Sequence, residues 1–582
     1  MPIAILLLLQ AAAPSAAFVD VSVVPVVRPG VLTHQTVIVQ DGRITWSGPA
    51  AKAVIPAGAV RIDGRGKFLL PGFADMHTHP SSPFDLYTYL ANGITRIRVM
   101  WGDTATLRWR RDAETGTLPA PRIYTAGAII DGSPPSQPMM TVLTDPARAR
   151  AEVMAQHTAG FDFIKVYNSV PKAVYDTITA VARELGMPVA GHVPFAVGLS
   201  GALAAHQASI EHLRGYIAEL VPKDAPIQPG ATLRSRTLAW NNIDQTRFPA
   251  LVKRTVAAGV WNVPTFVVQA LDMLPSAEYR ALMARPEVAL LGRDNVPDRS
   301  KISYLADYTD ADFAESERAI LPQMAFARAL FESGAHLMLG TDSWLNGWAF
   351  HDEMKLFEKA GIPRAAILRL ATHEPAVFFG LGRTQGAVAA GYAADLQLVG
   401  GNPLDDLNHL TDRAGVMVRS RWYPKDELDR TLRVLAPGLR PMTPEPPIDR
   451  RSYVLGAIGA FAEMVGGGVK RLALSDVLTP SEADGLEAEA GRIAERNHAR
   501  IFREPELIVT DLFPADVATG RHVLVIYAGT ALDEYQALKR DRAALVAAGR
   551  YEGAARREIA RRFGKLLSYP DAKIDALLAG RP

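Results

Sequence analysis

The organisation of this chain follows from one stretch, Phe73-Ala74-Asp75-Met76-His77-Thr78-His79-Pro80. An apolar run at residues 68–72 leads into it, which is typical of a buried strand. Side chains alternate between the two faces of a strand, so His77 and His79 point to the same side. Because histidine is the commonest metal ligand, a pair of imidazoles at one strand end predicts a metal site there.

Strands alternate with helices from residue 71 to about residue 380. Residues 171–185 and 362–379 are two of the predicted helical segments. Eight β/α units predict the α/β class and a closed (β/α)8 TIM-like barrel of parallel strands. The eight predicted strands are Gly72–His79, Thr95–Met100, Arg122–Ala128, Asp162–Tyr167, Pro188–His192, Ser209–Leu213, Asn262–Val268 and His336–Asp342.

Residues that can bind metals recur at the ends of these predicted strands. In an α/β barrel the active site lies at the carboxyl ends of the strands. The side chains that fall there are His79, Lys165, His192, His212 and Asp342. Their common position predicts that they meet at one mouth of the barrel.

Strand-like segments flank the barrel on both sides, and we expect them to form one split β-sandwich. Asp41-Gly42 is a good hairpin turn within the first of these segments. The predicted domains are a signal peptide at 1–17, the amino-terminal segment of the sandwich at 18–70, the barrel at 71–383, the carboxy-terminal segment of the sandwich at 384–435, a proline-rich linker at 436–447 and a mainly helical accessory region at 448–582.

The accessory region carries helix signals and no readable chemistry. Thr479 is followed by Pro480 and, three residues after the threonine, by Glu482. Such a threonine caps a helix while the glutamate completes a capping box, so a helix is predicted to begin here. The region is interpreted as a lid, a dimer contact or an independent binding module.

Composition excludes several classes of site. The chain has 582 residues and no cysteine, which excludes disulfides, zinc fingers, iron–sulfur clusters and thiol nucleophiles. Any metal must therefore be held by histidine, carboxylate or a modified lysine. A net charge of +2 argues against a nucleic-acid partner or binding to an acidic membrane surface. No stretch predicts a membrane-spanning helix.

The amino-terminal residues 1–17 resemble an export signal. A short apolar run, Ile3–Leu9, is followed by small residues that reach Ala17. The run is too short to span a bilayer, and no lysine or arginine precedes it. The alternative is an imperfect start site or a disordered leader. We expect an exported protein, periplasmic or secreted.

The whole set His77, His79, Lys165, His192, His212 and Asp342 resembles the two-metal centre of the amidohydrolase superfamily. The segment Gly340-Thr341-Asp342-Ser343 has the superfamily's eighth-strand form. Two further segments, Ala371–Ala376 followed by Gly380 and Gly386–Leu404, match its last helix and returning strands. The similarity covers roughly residues 18–430, and the pattern is most similar to the imidazolonepropionase-like and Xaa-Pro dipeptidase-like branch. It implies two divalent metal ions, with zinc expected.

The resemblance also implies a role for each residue. His77 and His79 would bind the buried ion, and His192 and His212 the outer ion. Lys165, carrying a carbamate formed from CO₂, would bridge both ions. Asp342 would bind the buried ion and move the catalytic proton. Taken singly, Lys165 could form a salt bridge or extend to solvent, and either later histidine could be structural.

Two further residues are candidates for substrate binding. Tyr167 lies two residues after Lys165, hence on the same strand face, and could donate its hydroxyl to substrate or simply pack. His351 lies in the segment after Asp342, where it could contact substrate or cap the next helix. Both alternatives stay open for each residue.

The expected activity is hydrolysis of an amide bond in a small peptide or N-acyl amino acid by a metal-bridging hydroxide. The alternative is hydrolysis of a cyclic amide, a lactone or a phosphotriester, because the same nucleophile attacks all of these. A non-catalytic binding protein would be expected to lack a ligand, and here none is missing. A homo-oligomer is compatible with the sequence.

Overall fold

The computed structural model describes residues 15–230, 232–292, 296, 302, 305, 308–439, 449–512 and 519–579. The chain divides into two compact units, Met1–Arg440 and Pro441–Pro582. Most of the predicted signal peptide and most of the predicted linker lie outside the described residues. Ala16 and Ala17, at the end of the predicted signal, are buried at the start of the first strand.

The first unit contains eighteen strands among its described residues. They are β1 Ala16–Val23, β2 Leu32–Gln40, β3 Arg43–Pro49, β4 Val60–Asp63, β5 Phe68–Pro71, β6 Phe73–Thr78, β7 Ile94–Val99, β8 Arg122–Thr125, β9 Ile130–Asp131, β10 Thr141–Val142, β11 Ile164–Val166, β12 Val189–Gly191, β13 Ser209–Glu211, β14 Trp261–Val263, β15 His336–Leu337, β16 Leu396–Val399, β17 Arg413–Val418 and β18 Arg421–Pro424.

Fifteen α-helices accompany these strands within the described residues. They are α1 Pro83–Ala91, α2 Thr104–Glu114, α3 Pro146–Ala159, α4 Lys172–Glu184, α5 Gly198–Ala204, α6 Tyr216–Leu220, α7 Leu233–Leu238, α8 Phe248–Ala258, α9 Phe266–Asp272, α10 Ser276–Met283, α11 Asp310–Glu332, α12 Ala349–Lys359, α13 Arg364–Leu370, α14 His373–Phe378 and α15 Lys425–Leu435.

The strands of the predicted barrel are parallel and lie in two sheets, ordered β6-β7-β8 and β10-β9-β11-β12-β13-β14-β15. Further backbone pairing joins these sheets at two places. Ala126 forms a parallel bridge with Phe163, between β8 and the approach to β11. The N–H of Met76 donates to the carbonyl of Leu339, and the N–H of Asp342 donates to that of His77. Residues 339–342 therefore run beside β6.

Half of the twelve residues of β6 and β7 are polar or charged. Every residue of β6 and β7 is buried, as expected for parallel strands covered on both faces by other elements. Arg98, on β7, is fully buried as well. It is tolerated because its guanidinium donates to the Glu211 carboxylate, the Ser209 hydroxyl and the Met76 carbonyl.

The seventh predicted strand, Asn262–Val268, was too long. β14 ends at Val263, and Phe266 begins α9. Thr265 lies between them with a φ of +52°, in the left-handed region and outside the β region of regular strands. Phe266 and Val267 are buried in a helix instead. The prediction failed here because a short apolar run does not distinguish a buried helix from a buried strand.

The flanking segments contribute to one eight-stranded sheet. Its order is β18-β17-β16-β5-β1-β2-β3, and β4 pairs with β1. β5 and β16, which lie on opposite sides of the barrel segment in the chain, pair antiparallel from Pro71–Leu396 to Phe68–Val399. Strands from before and after the barrel segment are therefore neighbours in this sheet.

The second unit combines helices with a small antiparallel sheet, which the sequence patterns did not predict. The described elements are α16 Arg450–Gly466, β19 Leu472–Leu474, α17 Pro480–Arg496, β20 Arg500–Glu504, β21 Val523–Tyr527, α18 Ala531–Ala547, α19 Gly553–Leu566 and α20 Asp571–Ala579. The sheet has the order β19-β21-β20. α17 begins with the predicted capping box of Thr479 and Glu482.

None of the described helices combines the length and the apolar character needed to cross a bilayer.

Candidate metal centre

The two histidines of the opening stretch converge on Asp342. His77 is buried at the end of β6 and His79 follows that strand, with ring centroids 5.3 Å apart. The Nε2 atom of His77 lies 3.6 Å from Oδ1 of Asp342, and that of His79 lies 3.1 Å from the same oxygen. The structure therefore brings the first and last predicted ligand segments to one point.

A buried carboxylate fixes the orientation of His77. Its Nδ1 lies 2.9 Å from Oε2 of Glu211. Burial alone would raise the pKa of Glu211, but Arg98 and His77 lower it well below its ordinary value. Because an ionised carboxylate only accepts hydrogen bonds, the proton of His77 is on Nδ1. The lone pair of Nε2 is left for a metal, as in carboxylate–histidine–metal triads.

Lys165 lies on β11 beside the same imidazole. It is 1% exposed, and its Nζ is 3.5 Å from Nε2 of His77. Burial, more than any neighbour, lowers the pKa of Lys165 to about 8. A larger share of this amine is therefore neutral near physiological pH than for an exposed lysine.

His192 and His212 also present a free ring nitrogen. Nδ1 of His192 lies 2.7 Å from Oδ1 of Asn168, and its buried Nε2 has no hydrogen-bond partner among the described residues. Nδ1 of His212 lies 2.6 Å from Oγ1 of Thr265, whose hydroxyl donates to the carbonyl of Pro264. Oγ1 is therefore the acceptor, and Nε2 of His212 is unprotonated.

Burial lowers the pKa of both rings well below the ordinary histidine value. Neutral imidazole is the form that binds metals. Nε2 of His212 lies 3.5 Å from Oδ2 of Asp342. Both histidines thus have the protonation state that a metal ligand needs.

Asp342 is held in place by a second aspartate. The φ of Asp342 is +50°, a strained value for this residue type. The preceding residue, Thr341, donates both its N–H and its hydroxyl to buried Asp75, which also accepts the N–H of His77. Burial would raise the pKa of Asp342, but His77, His79 and His212 lower it well below its ordinary value. The carboxylate is therefore ionised.

The residues present fit a divalent cation. One ligand atom each from His77, His212 and Asp342 lies within 4.8 Å of the others. Imidazole and carboxylate together are a donor set that zinc and several other divalent metals accept. The buried, unpartnered Nε2 of His192 adds a further donor on the same cavity.

The candidate ligands line a cavity of about 710 Å³, a size typical of small-molecule sites. Tyr167 also lines it and stacks on the His192 ring at 3.9 Å. Burial raises the pKa of Tyr167 to about 12, so its hydroxyl stays protonated and can donate. Tyr167 thus packs on His192 and also lines the cavity, and donation of its hydroxyl to a substrate stays a prediction.

The structure does not bring His351 to this cavity. His351 is buried within α12 rather than at the cap of that helix. It lines a separate cavity of about 460 Å³ together with Asn92 and Arg413. The predicted substrate contact at His351 is therefore wrong, because its buried side chain lies in the wall of this second cavity.

Four supporting residues were missed by the sequence reasoning, namely Asp75, Asn168, Glu211 and Thr265. Two of them stand beside predicted ligands, since Glu211 precedes His212 and Asp75 is two residues before His77. That adjacency is the signal that would have suggested them. Thr265 gave no such signal.

Comparison with known proteins gives the family. A model described as "Amidohydrolase family" matches residues 68–423, more than half of the chain. Imidazolonepropionase from Saccharopolyspora erythraea is 48% identical over 50 residues, which are 9% of this chain and 12% of that protein. The matched segment thus spans much less than two thirds of this relative.

Solved structures extend the similarity in three dimensions. Bottromycin amidohydrolase has 25% sequence identity and a TM-score of 0.56, covering 72% of this chain and 89% of that chain. A Xaa-Pro dipeptidase with methionine bound in its active site has 19% identity and a TM-score of 0.52, covering 70% and 100%. The second likeness shows the TIM-barrel-like α/β fold alone. The chain belongs to the amidohydrolase family, which confirms the family predicted from its motifs.

Proposed function

We propose that this protein is a metal-dependent hydrolase that cleaves the C–N amide bond of a small peptide or N-acyl amino acid. One observation carries this function: three imidazoles with unprotonated Nε2 atoms and an ionised Asp342 converge on a single cavity. The family match supports hydrolysis of C–N bonds. The names of the similar proteins support amide substrates.

Two divalent ions, with zinc expected, would be held by the converging side chains. His77, His79 and Asp342 would hold the buried ion, and His192 and His212 the outer one. When bound, the pair supplies an acidified water and polarises the substrate carbonyl. The hydrogen-bond partners of three of these rings, Glu211, Asn168 and Thr265, support this assignment, because such partners orient ligating imidazoles.

Lys165, as a carbamate, would complete the set of metal ligands. Its neutral Nζ would form a bond to the carbon of CO₂ and release one proton to water, which leaves an anionic carbamate. The lowered pKa of Lys165 supports this step, since only the neutral amine is nucleophilic. An anion at this position would also relieve the cost of burying an unpaired ammonium group.

Asp342 moves the proton during hydrolysis. Its carboxylate accepts a proton as the water oxygen bonds to the carbonyl carbon. The same proton then passes to the amide nitrogen as the C–N bond breaks, so that a free amine and a carboxylic acid result. Because the pKa of Asp342 lies well below its ordinary value, its carboxylate is ionised at neutral pH, the form that can accept this proton. The hydroxyl of Tyr167 donates to the bound substrate.

We also propose that the eight central strands close into a barrel. The bridge between Ala126 and Phe163 supports closure on one side. The hydrogen bonds from Met76 to Leu339 and from Asp342 to His77 support it on the other. Closure would explain how ligands from the first and last strands reach one another.

Amine release from pooled substrates tests the reaction. Metal-loaded protein with bicarbonate would be incubated with dipeptides and with N-acyl amino acids, and Asp342→Asn would be the blank. We expect release by the wild type only, and loss of release after chelation. Full activity of the chelated protein would refute a metal-dependent mechanism. Ring opening or phosphotriester cleavage without amine release would assign the alternative substrates.

We propose export as a separate matter. The apolar run Ile3–Leu9 and the small residues after it support this. Expression in a bacterial host followed by fractionation and intact-mass measurement tests it. Recovery of the uncleaved chain in the cytoplasm would contradict export.

A further inference from the structure

Two arginines line the same cavity as the metal-ligand candidates. Arg214 follows His212 by two residues, and His212, Leu213 and Gly215 all have φ between +51° and +90°. The chain therefore turns sharply after β13. The positive charge of Arg214 lowers the pKa of both His192 and His212. Arg214 thus stands next to the candidate ligands of the outer ion.

The second arginine belongs to α7. Arg236 is 8% exposed, donates to the Gly230 carbonyl at 3.2 Å and has its guanidinium 5.5 Å from the centre of the Phe195 ring. Burial first, and then the charge of Arg214, lower the pKa of Arg236 to about 9. The two guanidinium groups are therefore close enough to repel one another.

The wall of the cavity has an excess of positive charge. Among its described residues Asp342 is the only carboxylate, whereas Arg214 and Arg236 are both cationic. Asp342 lies within 3.6 Å of ring nitrogens of His77, His79 and His212 and is itself a candidate metal ligand. The Nε of Arg214 is buried and has no hydrogen-bond partner in the described part of the chain. A buried donor of this kind is costly unless a ligand accepts from it.

We propose that Arg214, assisted by Arg236, binds the free carboxylate of the substrate. This rests on the proposed amide hydrolysis and narrows its substrate class. The residue that contributes the scissile nitrogen carries the carboxylate, as in a dipeptide or an N-acyl amino acid. Arginine suits this role because its planar fork donates two parallel hydrogen bonds to a carboxylate.

The rest of the cavity wall accommodates an apolar side chain on the substrate residue that carries the carboxylate. Leu233, Trp240 and Met273 line the cavity with the two arginines. Most small-molecule sites combine such apolar walls with a few placed polar groups. The same residue of the substrate would thus have its carboxylate at Arg214 and its side chain against these walls.

A substrate without the carboxylate should be a poor one. A carboxamide would leave the arginines buried beside a group that cannot neutralise them, and sites built for one polar group reject analogues that lack it. We expect kcat/KM for free acids to exceed that for the matching carboxamides by at least about 100-fold.

The experiment compares two substrate pools on the full-length, metal-loaded protein. One pool holds dipeptides and N-acyl amino acids as free acids, tested separately, and the other holds the same molecules as carboxamides. Amine release would be measured for the wild type, Arg214→Met, Arg214→Lys and Arg236→Met. Arg108→Met, which removes an exposed arginine on α2, is the matched control.

Support would be an acid preference in the wild type that Arg214→Met abolishes, Arg214→Lys partly keeps and Arg108→Met leaves unchanged. Equal rates on acids and carboxamides in the wild type would overturn the carboxylate site, whether or not any variant folds. Activity on dipeptide acids alone, or on N-acyl acids alone, would identify which source supplies the carboxylate.

Binding separates this inference from the proposed reaction. Saturation-transfer NMR on the wild type would show which members of the two pools bind. Binding of free acids only, without amine release, would support the carboxylate site and refute the proposed hydrolysis. Amine release at equal rates from free acids and carboxamides would support the hydrolysis and refute the carboxylate site. Absence of binding and of turnover in both pools would refute both.

Discussion

Nδ1 of His77 lies 2.9 Å from Oε2 of Glu211, although 134 positions separate the two residues in the chain. The carboxylate is fully buried and also accepts from Arg98 and Ser209. This contact fixes the ring of His77 and leaves its Nε2 directed at Asp342. The orientation of His77 is therefore set by Glu211, the last residue of β13, which directly precedes His212.

Glu211→Gln should weaken metal binding without removing a ligand. The amide keeps the size of the side chain but loses the charge that holds the Nδ1 proton of His77. We expect metal affinity to fall by about 10- to 100-fold, measured by competition with a chromogenic chelator. Glu219→Gln, at a partly exposed ion pair with Arg254, is the control. Equal affinity of Glu211→Gln and the wild type would refute the orienting role.

Thr265→Val should affect the outer ion selectively. Valine has nearly the shape of threonine but cannot accept from Nδ1 of His212, which frees that ring to rotate. We expect a loss of about 10- to 100-fold in the affinity for one of two ions, read from two-step chelator titrations. Thr179→Val, at a buried hydroxyl on α4 that donates to the Tyr175 carbonyl, is the control. A loss shared equally by both ions would contradict the assignment.

Lys165→Arg should abolish carbamate formation while retaining a positive charge. Guanidinium stays protonated in proteins and does not react with CO₂. With ¹³C-bicarbonate, we expect a carbamate carbon signal in the wild type, absent in this variant, and a loss of activity of at least about 100-fold. Lys172→Arg, at an exposed lysine paired with Asp176, should behave as the wild type. A carbamate signal that persists in Lys165→Arg would exclude Lys165 as its site.

Asp395→Asn should destabilise the first unit, most strongly near pH 7. Asp395 pairs with Arg122 at 2.7 Å and accepts the N–H of Arg419. Burial would raise the pKa of Asp395, but Arg122 lowers it below its ordinary value. The charged form therefore stabilises the fold above the ordinary aspartate pKa, and this contribution is lost as the pH falls through the lower folded value.

We expect Asp395→Asn to lower the free energy of unfolding by about 3 kcal/mol at pH 7, and the difference from wild type to shrink in acid. All eight tryptophans lie between residues 46 and 422, so their fluorescence during urea unfolding reports the first unit. Asp405→Asn, at an exposed residue, is the control. A difference that grows as the pH falls would refute the charge-based explanation.

Local patterns predicted much of the site. His77 and His79 could be paired from strand periodicity alone, and Lys165, His192, His212 and Asp342 from their places at strand ends. The structure brings these residues to one cavity. The role of Thr265 could not be predicted in this way, because a single residue with left-handed backbone between a strand and a helix has no recognisable pattern in the sequence.

The chain's order of strands, helices and ligand-type residues was determined by its sequence, because alternation and apolar periodicity are local properties. The sequence by itself did not determine which hydrogen-bond partner each ligand would have. Glu211 behind His77, Thr265 behind His212 and Arg214 facing the cavity depend on contacts between distant segments, and so does the displacement of His351. Protonation and charge at the site arise from burial and from these neighbours, and only tertiary structure creates both.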